Sequence, residues 1–249
     1  SGAIDLKDLI IARENDPLEG IIRHSYPYVL AHEKVEDCID RIAEYEEDSL
    51  PVLTVDGKIA GVAWYQGEND ADIPAMCEAY GARFARFAAH VRRLFHAPEL
   101  PFYTVQINKS TEGRTSPELA GRMREEQRQA AHRIPHVYVV PAHDLPMSDH
   151  VHNNTAANGV IGERLAWSAL ENEYHLPYFG KAPDAISAKR TRTDTGMQVQ
   201  VLFDNVVMGL SDFGCTAPIV RLRTGGNGTL PIRSAECRGN ALYVRTDLY

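Results

Sequence analysis

Two short polar stretches of this chain hold residue types that can catalyse acyl transfer, and the first of them follows an apolar run. It reads Gln66-Gly67-Glu68-Asn69-Asp70. Gly67 allows a close backbone turn, and the side-chain amides of Gln66 and Asn69 can donate hydrogen bonds to a developing oxyanion. One preorganised donor of this kind lowers a barrier by roughly 3–4 kcal/mol. The turn alone is equally consistent with a polar loop that caps the next helix, with Asp70 or Asp72 as the N-cap.

The second stretch contains an aspartate and a histidine three residues apart. It reads Asp149-His150-Val151-His152-Asn153 and lies between an apolar run and a long helical pattern. Around one imidazole, Asp149 would hold the Nδ1 proton of His152 and leave Nε2 free as a general base. The alternative is that Asp149 or Asn153 caps the following helix and that His152 is a solvated surface histidine.

A metal site is a further chemistry to consider, because five histidines fall within 21 positions: His132, His136, His143, His150 and His152. His150 and His152 alternate, so an extended backbone would point both the same way, as paired zinc ligands do. His132 instead closes a helical pattern and His136 precedes a strand, so the spacing does not require three ligands to converge. We predict no metal and no cofactor.

The elements that must position these residues alternate between strands and helices. Ser116, followed by proline and glutamate, is a typical helix N-cap. Alternation of this kind predicts an α/β fold, in which a parallel sheet has helices on both faces. The predicted strands are residues 59–65, 102–107 and 137–140, and the predicted helices are residues 73–94, 117–132 and 155–174.

The two ends of the chain have different patterns. Before residue 53, only an acidic helix with Val35, Ile39 and Ile42 on one face is indicated. After Tyr178 the helical period vanishes and short strands follow at residues 197–203, 219–222, 230–232 and 242–245, which predicts a small all-β module. We therefore expect an α/β domain over residues 1–180 and an accessory β-sandwich-like module, incomplete, over residues 181–249.

The composition of the chain argues against two classes of binding partner, nucleic acids and membranes. The chain has 26 basic and 34 acidic residues in 249, for a formal net charge of −8, and no basic cluster. It is therefore a poor candidate for binding nucleic acid or an anionic membrane. Its longest uncharged apolar stretch, residues 137–142, is far shorter than the roughly 20 residues of a membrane helix. We find no signal peptide within the chain, and the four cysteines form no disulfide framework, so the compartment stays unassigned.

Taken together, the two polar stretches resemble those of a known enzyme family. Residues 61–70 look like the signature of the sialate O-acetylesterase and acetylxylan-esterase-like branch of the SGNH hydrolases, with residues 67–70 matching its Gly-x-Asn-Asp block. Residues 149–152 match its Asp-x-x-His block. Residues 100–106 and 124–130, and the β-rich tail, are also similar, so the resemblance covers roughly residues 50–249.

This resemblance implies a flavodoxin-like SGNH-hydrolase sheet and a carbohydrate O-acetylesterase that removes acetyl groups from sugars with a serine nucleophile. His152 would be the base and Asp149 its orienting partner, while Asn69 and Gln66, with Gly67, would form the oxyanion and substrate-binding loop. The substrate would be an acetylated sugar or sialic acid.

One sequence block of this family is absent from the 249 residues. The nucleophilic serine of the family lies in a Gly-Asp-Ser or Gly-Gln-Ser-Asn block after the first strand, and this chain has no such block. Ser25 is the least unfavourable internal candidate, since Ile21 and Ile22 before it can form a strand. We therefore expect the chain to be the C-terminal portion of a longer protein. The first strand and the serine would then lie on a missing segment or a second polypeptide, so the chain would not be an independent monomer.

Two alternatives to the missing segment remain open at this point. In one, the chemistry has been rebuilt around another nucleophile, and in the other the chain has no catalytic activity. The chain can be a non-catalytic carbohydrate-binding relative or accessory subunit that offers Trp64, Tyr65 and Tyr103 as aromatic surface, although aromatic residues in apolar strands are more often core. Arg122, Arg124 and Arg128 can meet a substrate carboxylate, but on an amphipathic helix they are more often a solvated face. Whether these aromatic and arginine side chains face a ligand, the core or solvent depends on the fold.

Overall fold

The computed structural model of the chain describes residues 28–34, 37–38, 40, 52–109, 115–211, 220–224 and 228–247. Two short strands come first, β1 (Val29–Leu30) and β2 (Val52–Leu53), which pair in parallel. Most of the acidic helix predicted before residue 53 lies outside the described residues. No helix in the described part of the chain is both long and apolar enough to cross a membrane.

A three-stranded parallel sheet forms the centre of the α/β part. Its strands are β3 (Val62–Tyr65), β4 (Phe102–Val105) and β5 (Val137–Val140), in that order across the sheet. Val62 is in register with Phe102, which is in register with Val137. The sheet confirms the predicted strands and parallel pairing, but β3 and β4 are shorter than predicted. Ile59 belongs instead to an isolated antiparallel bridge with Leu53.

Within residues 52–109 and 115–211, four helices accompany the sheet, and they confirm the predicted packing on both of its faces. They are α1 (Glu68–Ala71), α2 (Pro74–Leu94), α3 (Pro117–Arg133) and α4 (Thr155–Asn172). Helices α2 and α3 bury Phe84 and Met123 on the face of the sheet that carries Phe102. Helix α4 buries Ile161 on the opposite face, against Val105 and neighbouring side chains. Burying apolar side chains on both faces is the main stabilisation that a parallel sheet requires.

The helix N-termini follow the local chemistry of the sequence. Ser116 Oγ accepts a hydrogen bond from the Leu119 N–H, which confirms the predicted cap of α3. Asn154 caps α4 in the same way, one residue later than the Asn153 alternative. The alternative that Asp70 or Asp72 is the N-cap of a helix is wrong, because Gly67 is the N-cap of α1 and Ile73 is the N-cap of α2.

An antiparallel sheet follows the α/β part. It contains β6 (Asp184–Thr193), β7 (Gly196–Asp204), β10 (Ser234–Arg238) and β11 (Ala241–Thr246), in the order β10-β11-β7-β6. Strands β8 (Leu222–Arg223) and β9 (Thr229–Leu230) form a separate hairpin. The predicted β character of this region is confirmed. The boundaries differ, and β6 and β10 had no counterpart in the sequence prediction.

Salt bridges join α3 to the β-rich part of the chain. Arg128 Nη1 lies 2.6 Å from Asp184 Oδ1, and His132 Nε2 lies 2.8 Å from Asp184 Oδ2. Near the other end of α3, Glu118 Oε1 contacts Arg221 and Arg223 at 3.2 and 2.7 Å. Helix α3 therefore contacts both the parallel sheet and the strands that follow it.

Gln127 on α3 is fully buried and ties the carboxyl ends of two strands together. Its Oε1 accepts the Ile107 N–H at 3.0 Å, and its Nε2 donates to the carbonyls of Val105 (3.3 Å) and Gln66 (3.1 Å). Tyr80 Oη also donates to the Gln66 carbonyl at 3.0 Å. Buried polar groups without such partners are costly, so Gln127 fixes where the chain leaves β3 and β4.

Gln127→Leu should therefore lower the free energy of unfolding by about 2–4 kcal/mol, because it strands the Ile107 N–H and the Val105 carbonyl inside the protein. Urea denaturation measures this difference. The matched control is Gln129→Leu on the same helix, whose side chain makes one exposed hydrogen bond to Glu125. The control should change stability by less than about 0.5 kcal/mol. Equal losses for the two variants would contradict the role given to Gln127.

Candidate active site

The loop after β3 is held in a conformation that only glycine adopts easily. Gly67 has φ 155°, inside the range that L side chains rarely occupy. A Cβ at this position would lie 2.8 Å from Ile107 Cγ2 and 3.1 Å from Gln127 Nε2. Gly67 is therefore buried beneath the loop as a packing and turn residue, and its neighbours Gln66 and Asn69 reach the surface.

The side chain of Gln66 is oriented by a carboxylate. Gln66 Nε2 donates to Asp70 Oδ2 at 2.7 Å, and Asp70 Oδ1 accepts from Arg83 Nη1 at 2.9 Å. A carboxylate only accepts hydrogen bonds at neutral pH, so Asp70 determines which end of the Gln66 amide it faces. The second hydrogen of Gln66 Nε2 stays available for another acceptor.

The predicted Asp149 and His152 pair forms at short range. His152 Nδ1 lies 2.7 Å from Asp149 Oδ2, while Asp149 Oδ1 accepts the backbone N–H groups of Val151 and His152 at 2.8 and 2.7 Å. These hydrogen bonds, above all the one from the His152 N–H, hold the pKa of Asp149 well below its usual range. Asp149 is thus a carboxylate at any ordinary pH, and it fixes Nδ1 as the donor nitrogen of His152.

The loop that carries this pair closes on itself and is fastened to the sheet. Met147 and Asn153 form an isolated antiparallel bridge, and the Ser148 N–H donates to the His152 carbonyl at 2.9 Å. Asn153 Nδ2 then donates to Tyr65 Oη at 2.7 Å. The loop after β5 is therefore linked to the end of β3.

These two loops border one open cleft of about 450 Å³. Three of the residues predicted from the sequence line it together, namely Gln66, Asn69 and His152. Asp149 lies behind His152, and Gly67 lies below the surface. The other described lining residues are Tyr65, Glu68, Asp72, Thr115, Val151, Asn153 and Asn158. No serine is among the described residues that line the cleft, and Ser25 lies outside the described part of the chain.

The remaining histidines do not converge. His132 contacts Asp184, and His136 Nδ1 lies 3.2 Å from Glu173 Oε1. Burial is the largest influence on His143 and lowers its pKa. Over the residues that the structure describes, no three His, Cys, Asp or Glu side chains form a group that can hold a metal ion.

The three arginines of α3 considered as contacts for a substrate carboxylate also have partners within the protein. Arg122 pairs with Glu78 at 3.0 Å, and Arg128 pairs with Glu125 and Asp184. Arg124 Nη1 donates to the backbone carbonyl of Asn108 at 3.2 Å. None of the three lines the described cleft, so the geometry favours structural roles over contact with a substrate carboxylate.

Sequence analysis missed two residues that the geometry brings to this site. Asn108 follows β4, is 3% exposed, and donates its Nδ2 to Asn153 Oδ1 at 2.5 Å. Asn153 was considered only as a helix cap. Their pairing spans 45 residues of sequence, so no local pattern indicates it.

The chain is similar to one protein family and to a curated protein. The profile of the family described as carbohydrate esterase, sialic acid-specific acetylesterase, matches residues 28–171, more than half of the chain. A probable carbohydrate esterase of Arabidopsis thaliana is 33% identical over 117 residues, which are 47% of this chain and 42% of that protein.

Solved structures are similar as well. A carbohydrate acetylesterase from Xanthomonas citri superimposes with a TM-score of 0.66 at 24% identity, covering 77% of this chain and 43% of its own, which shows a shared fold. A crystal structure of the same Arabidopsis protein matches with a TM-score of 0.42 and 29% identity, covering 55% of this chain and 52% of its own. The chain spans less than half the length of the curated relative and of the Xanthomonas protein.

Gly67→Ala should destabilise the protein by about 1–3 kcal/mol, because it combines an unfavourable φ with a close approach to Ile107 and Gln127. Thermal or urea unfolding measures the loss. Gly121→Ala is the matched control, since Gly121 lies inside α3 with open space around its Cβ position. That control should gain about 0.5–1 kcal/mol. A Gly67→Ala variant as stable as the wild type would contradict the strained-turn interpretation.

Proposed function

Because the chain belongs to the sialic acid-specific acetylesterase family of carbohydrate esterases, we propose that it hydrolyses acetyl esters on sugars with a serine nucleophile. The observation that carries the proposal is the 2.7 Å contact between His152 Nδ1 and Asp149 Oδ2. This contact lies beside a cleft that also holds the amides of Gln66 and Asn69. A base, its orienting carboxylate and oxyanion donors are the groups that ester hydrolysis needs.

His152 acts as the base of this reaction. With Nδ1 bound to Asp149, Nε2 takes the hydroxyl proton of the nucleophile while the nucleophile attacks the acetyl carbonyl carbon. His152 then gives that proton to the sugar oxygen as the ester bond breaks and an acetyl-enzyme remains. In the second half, Nε2 takes a proton from water while the water oxygen attacks the acetyl carbonyl carbon of the acetyl-enzyme. His152 then gives this proton to the serine oxygen as the bond between that oxygen and the acetyl group breaks, which releases acetate and restores the nucleophile. Asp149 stays ionised throughout and stabilises the imidazolium.

Gln66 and Asn69 stabilise the oxyanion that develops on the acetyl carbonyl. Gln66 is the better positioned of the two, because Asp70 and Arg83 already orient its amide before substrate binds. Donors that need no reorganisation at the moment of reaction contribute most to lowering the barrier. Gly67 supports them from below by allowing the turn.

The nucleophile comes from outside the described residues. No described serine lines the cleft, and the hydroxyl of Thr115, the described threonine that does, donates to Asp72. Ser25, or a serine on another segment or polypeptide, is the proposed source. Labelling with a fluorophosphonate followed by peptide mapping identifies it, because such reagents modify activated serines. Acetate release from acetylated sugars, measured on the same material, tests the activity itself.

The absence of a described serine at the cleft also favours a second candidate, a carbohydrate-binding protein without turnover. The two functions separate cleanly in experiment. Tight sugar binding with neither labelling nor acetate release supports the binding protein. A labelled serine together with acetate release supports the esterase.

His152→Ala should lower kcat by about 10³-fold or more, because it removes the proton acceptor from the attacking group. Steady-state acetate release measures the effect. His150→Ala is the matched control, since His150 lies in the same loop but does not line the cleft. A His152→Ala variant with the rate of the control would contradict the assignment of the base.

Asn69→Ala and Gln66→Ala should each lower kcat on the order of a hundredfold with little change in KM, because an oxyanion donor binds the transition state and hardly the ground state. Initial rates over a range of substrate concentrations separate the two constants. A raised KM with an unchanged kcat would instead assign these amides to ground-state binding of the sugar.

A further inference from the structure

The phenol of Tyr65 lies in the cleft, and neither core packing nor the proposed chemistry accounts for its position there. It is the last residue of β3, its side chain lines the cleft, and it is 40% exposed. Its Oη lies 2.7 Å from Asn153 Nδ2. A phenol oxygen can both accept and donate, so the direction of this hydrogen bond decides what Tyr65 offers to a ligand.

Two backbone groups determine how the side-chain amide of Asn108 is oriented. The Lys109 N–H can only donate, and it lies 2.7 Å from Asn108 Oδ1. The Leu145 carbonyl can only accept, and it lies 3.3 Å from Asn108 Nδ2. The amide of Asn108 therefore has one allowed orientation, and its Nδ2 must donate to Asn153.

The orientation is passed from Asn108 to the cleft. Since Asn108 Nδ2 donates to Asn153 Oδ1, the other end of the Asn153 amide, Nδ2, must face Tyr65. Tyr65 Oη accepts this hydrogen bond and keeps its own proton. We call this ordered set of contacts, from Asn108 through Asn153 to Tyr65, the amide relay.

We propose that Tyr65 is a substrate-binding residue, in which the amide relay directs the phenol proton into the cleft as a donor to an oxygen of the sugar. The inference rests on the proposed function, since it takes the cleft as the site where an acetylated sugar binds. Asn153 acts through Tyr65 and is a positioning residue for this contact, in addition to fastening the His152 loop.

The surroundings of Tyr65 agree with a donor. Burial raises the pKa of its phenol and the charge of Glu68 adds to this, while the hydrogen bond from Asn153 opposes it. Tyr65 therefore stays protonated at any working pH. Helix α4 covers the side of the sheet that carries Val105, in register with Tyr65, yet it leaves the Tyr65 side chain partly open to the cleft.

The test compares Tyr65→Phe with wild type on two kinds of ester. One is a panel of mono-O-acetylated methyl glycosides and sialic acid, and the other is phenyl acetate, which has the acetyl group but no sugar oxygens. The ratio of kcat/KM for the best sugar acetate to kcat/KM for phenyl acetate should fall about tenfold. Tyr178→Phe is the matched control, because Tyr178 is 44% exposed and does not line the cleft.

A second variant reverses the direction of the hydrogen bond between residue 153 and Tyr65. In Asn153→Asp, a carboxylate oxygen faces Tyr65 and accepts a hydrogen bond from its hydroxyl, so the phenol O–H points away from the cleft. The same ratio should fall about tenfold, and combining this change with Tyr65→Phe should cause no further fall. Effects on His152 cancel in the ratio, because both esters use the same base.

The outcomes distinguish this inference from the proposed function. Acetate release with an unchanged ratio in Tyr65→Phe overturns the inference and leaves the function standing. If the wild type releases acetate from neither ester, the function fails, and calorimetric titration with the same sugars then decides the inference. Binding about tenfold weaker in Tyr65→Phe supports it, and equal binding or no binding overturns it.

Discussion

The buried amide of Gln127 is the interaction on which the rest of the site depends. It satisfies a backbone N–H and two backbone carbonyls at the carboxyl ends of β3 and β4. The hydrogen bonds to the Ile107 N–H and the Val105 carbonyl are buried, so α3 must lie where its glutamine can reach these groups. The same Nε2 lies beside Gly67, where a Cβ would be 3.1 Å away from it, so a larger residue at this position is unfavourable. The conformation of the loop that carries Gln66 and Asn69 thus follows from the hydrogen bonds that a helix makes to the strand ends beneath it.

The site spans three neighbouring parallel strands, and each contributes a different part. The chain leaving β3 carries Gln66 and Asn69, the chain leaving β4 carries Asn108, and the chain after β5 carries the pair of Asp149 and His152. Carboxyl ends of parallel strands meet at one edge of a sheet, which is where α/β proteins bind their ligands. The cleft is therefore a consequence of topology, and its chemistry is a consequence of the loops.

Local sequence patterns were sufficient to predict the helices that bury one apolar face. The helical period of α2 and the Ser-Pro-Glu start of α3 led to nearly correct boundaries, because apolar spacing and capping are short-range properties. Strand β6 escaped prediction for the opposite reason. Eight of its ten residues are exposed, so its sequence has no apolar alternation and only its pairing with β7 defines it. The alternative in which Asp70 or Asp72 is a helix N-cap was wrong because α2 begins at Pro74, after Ile73.

The contact between Asp149 and His152 could be predicted from the sequence, because the two residues are three apart and meet through a single turn of the chain. The contact between Asn153 and Tyr65 could not, since 88 residues separate the two. Such a contact depends on which strands become neighbours, and composition or spacing carries no information about that. The groups that do the proposed chemistry are thus easier to find in the sequence than the groups that hold them in position.

The two asparagines of the amide relay have a consequence for how the protein can be produced. Asn108-Lys109-Ser110 and Asn153-Asn154-Thr155 both match the acceptor sequence for N-linked glycosylation. A glycan attaches at Nδ2, and Nδ2 of Asn108 already uses both of its hydrogens on Leu145 and Asn153. An oligosaccharide there cannot fit a side chain that is 3% exposed. Modification during secretion from a eukaryotic host would therefore compete with folding, and a bacterial cytoplasm avoids that competition.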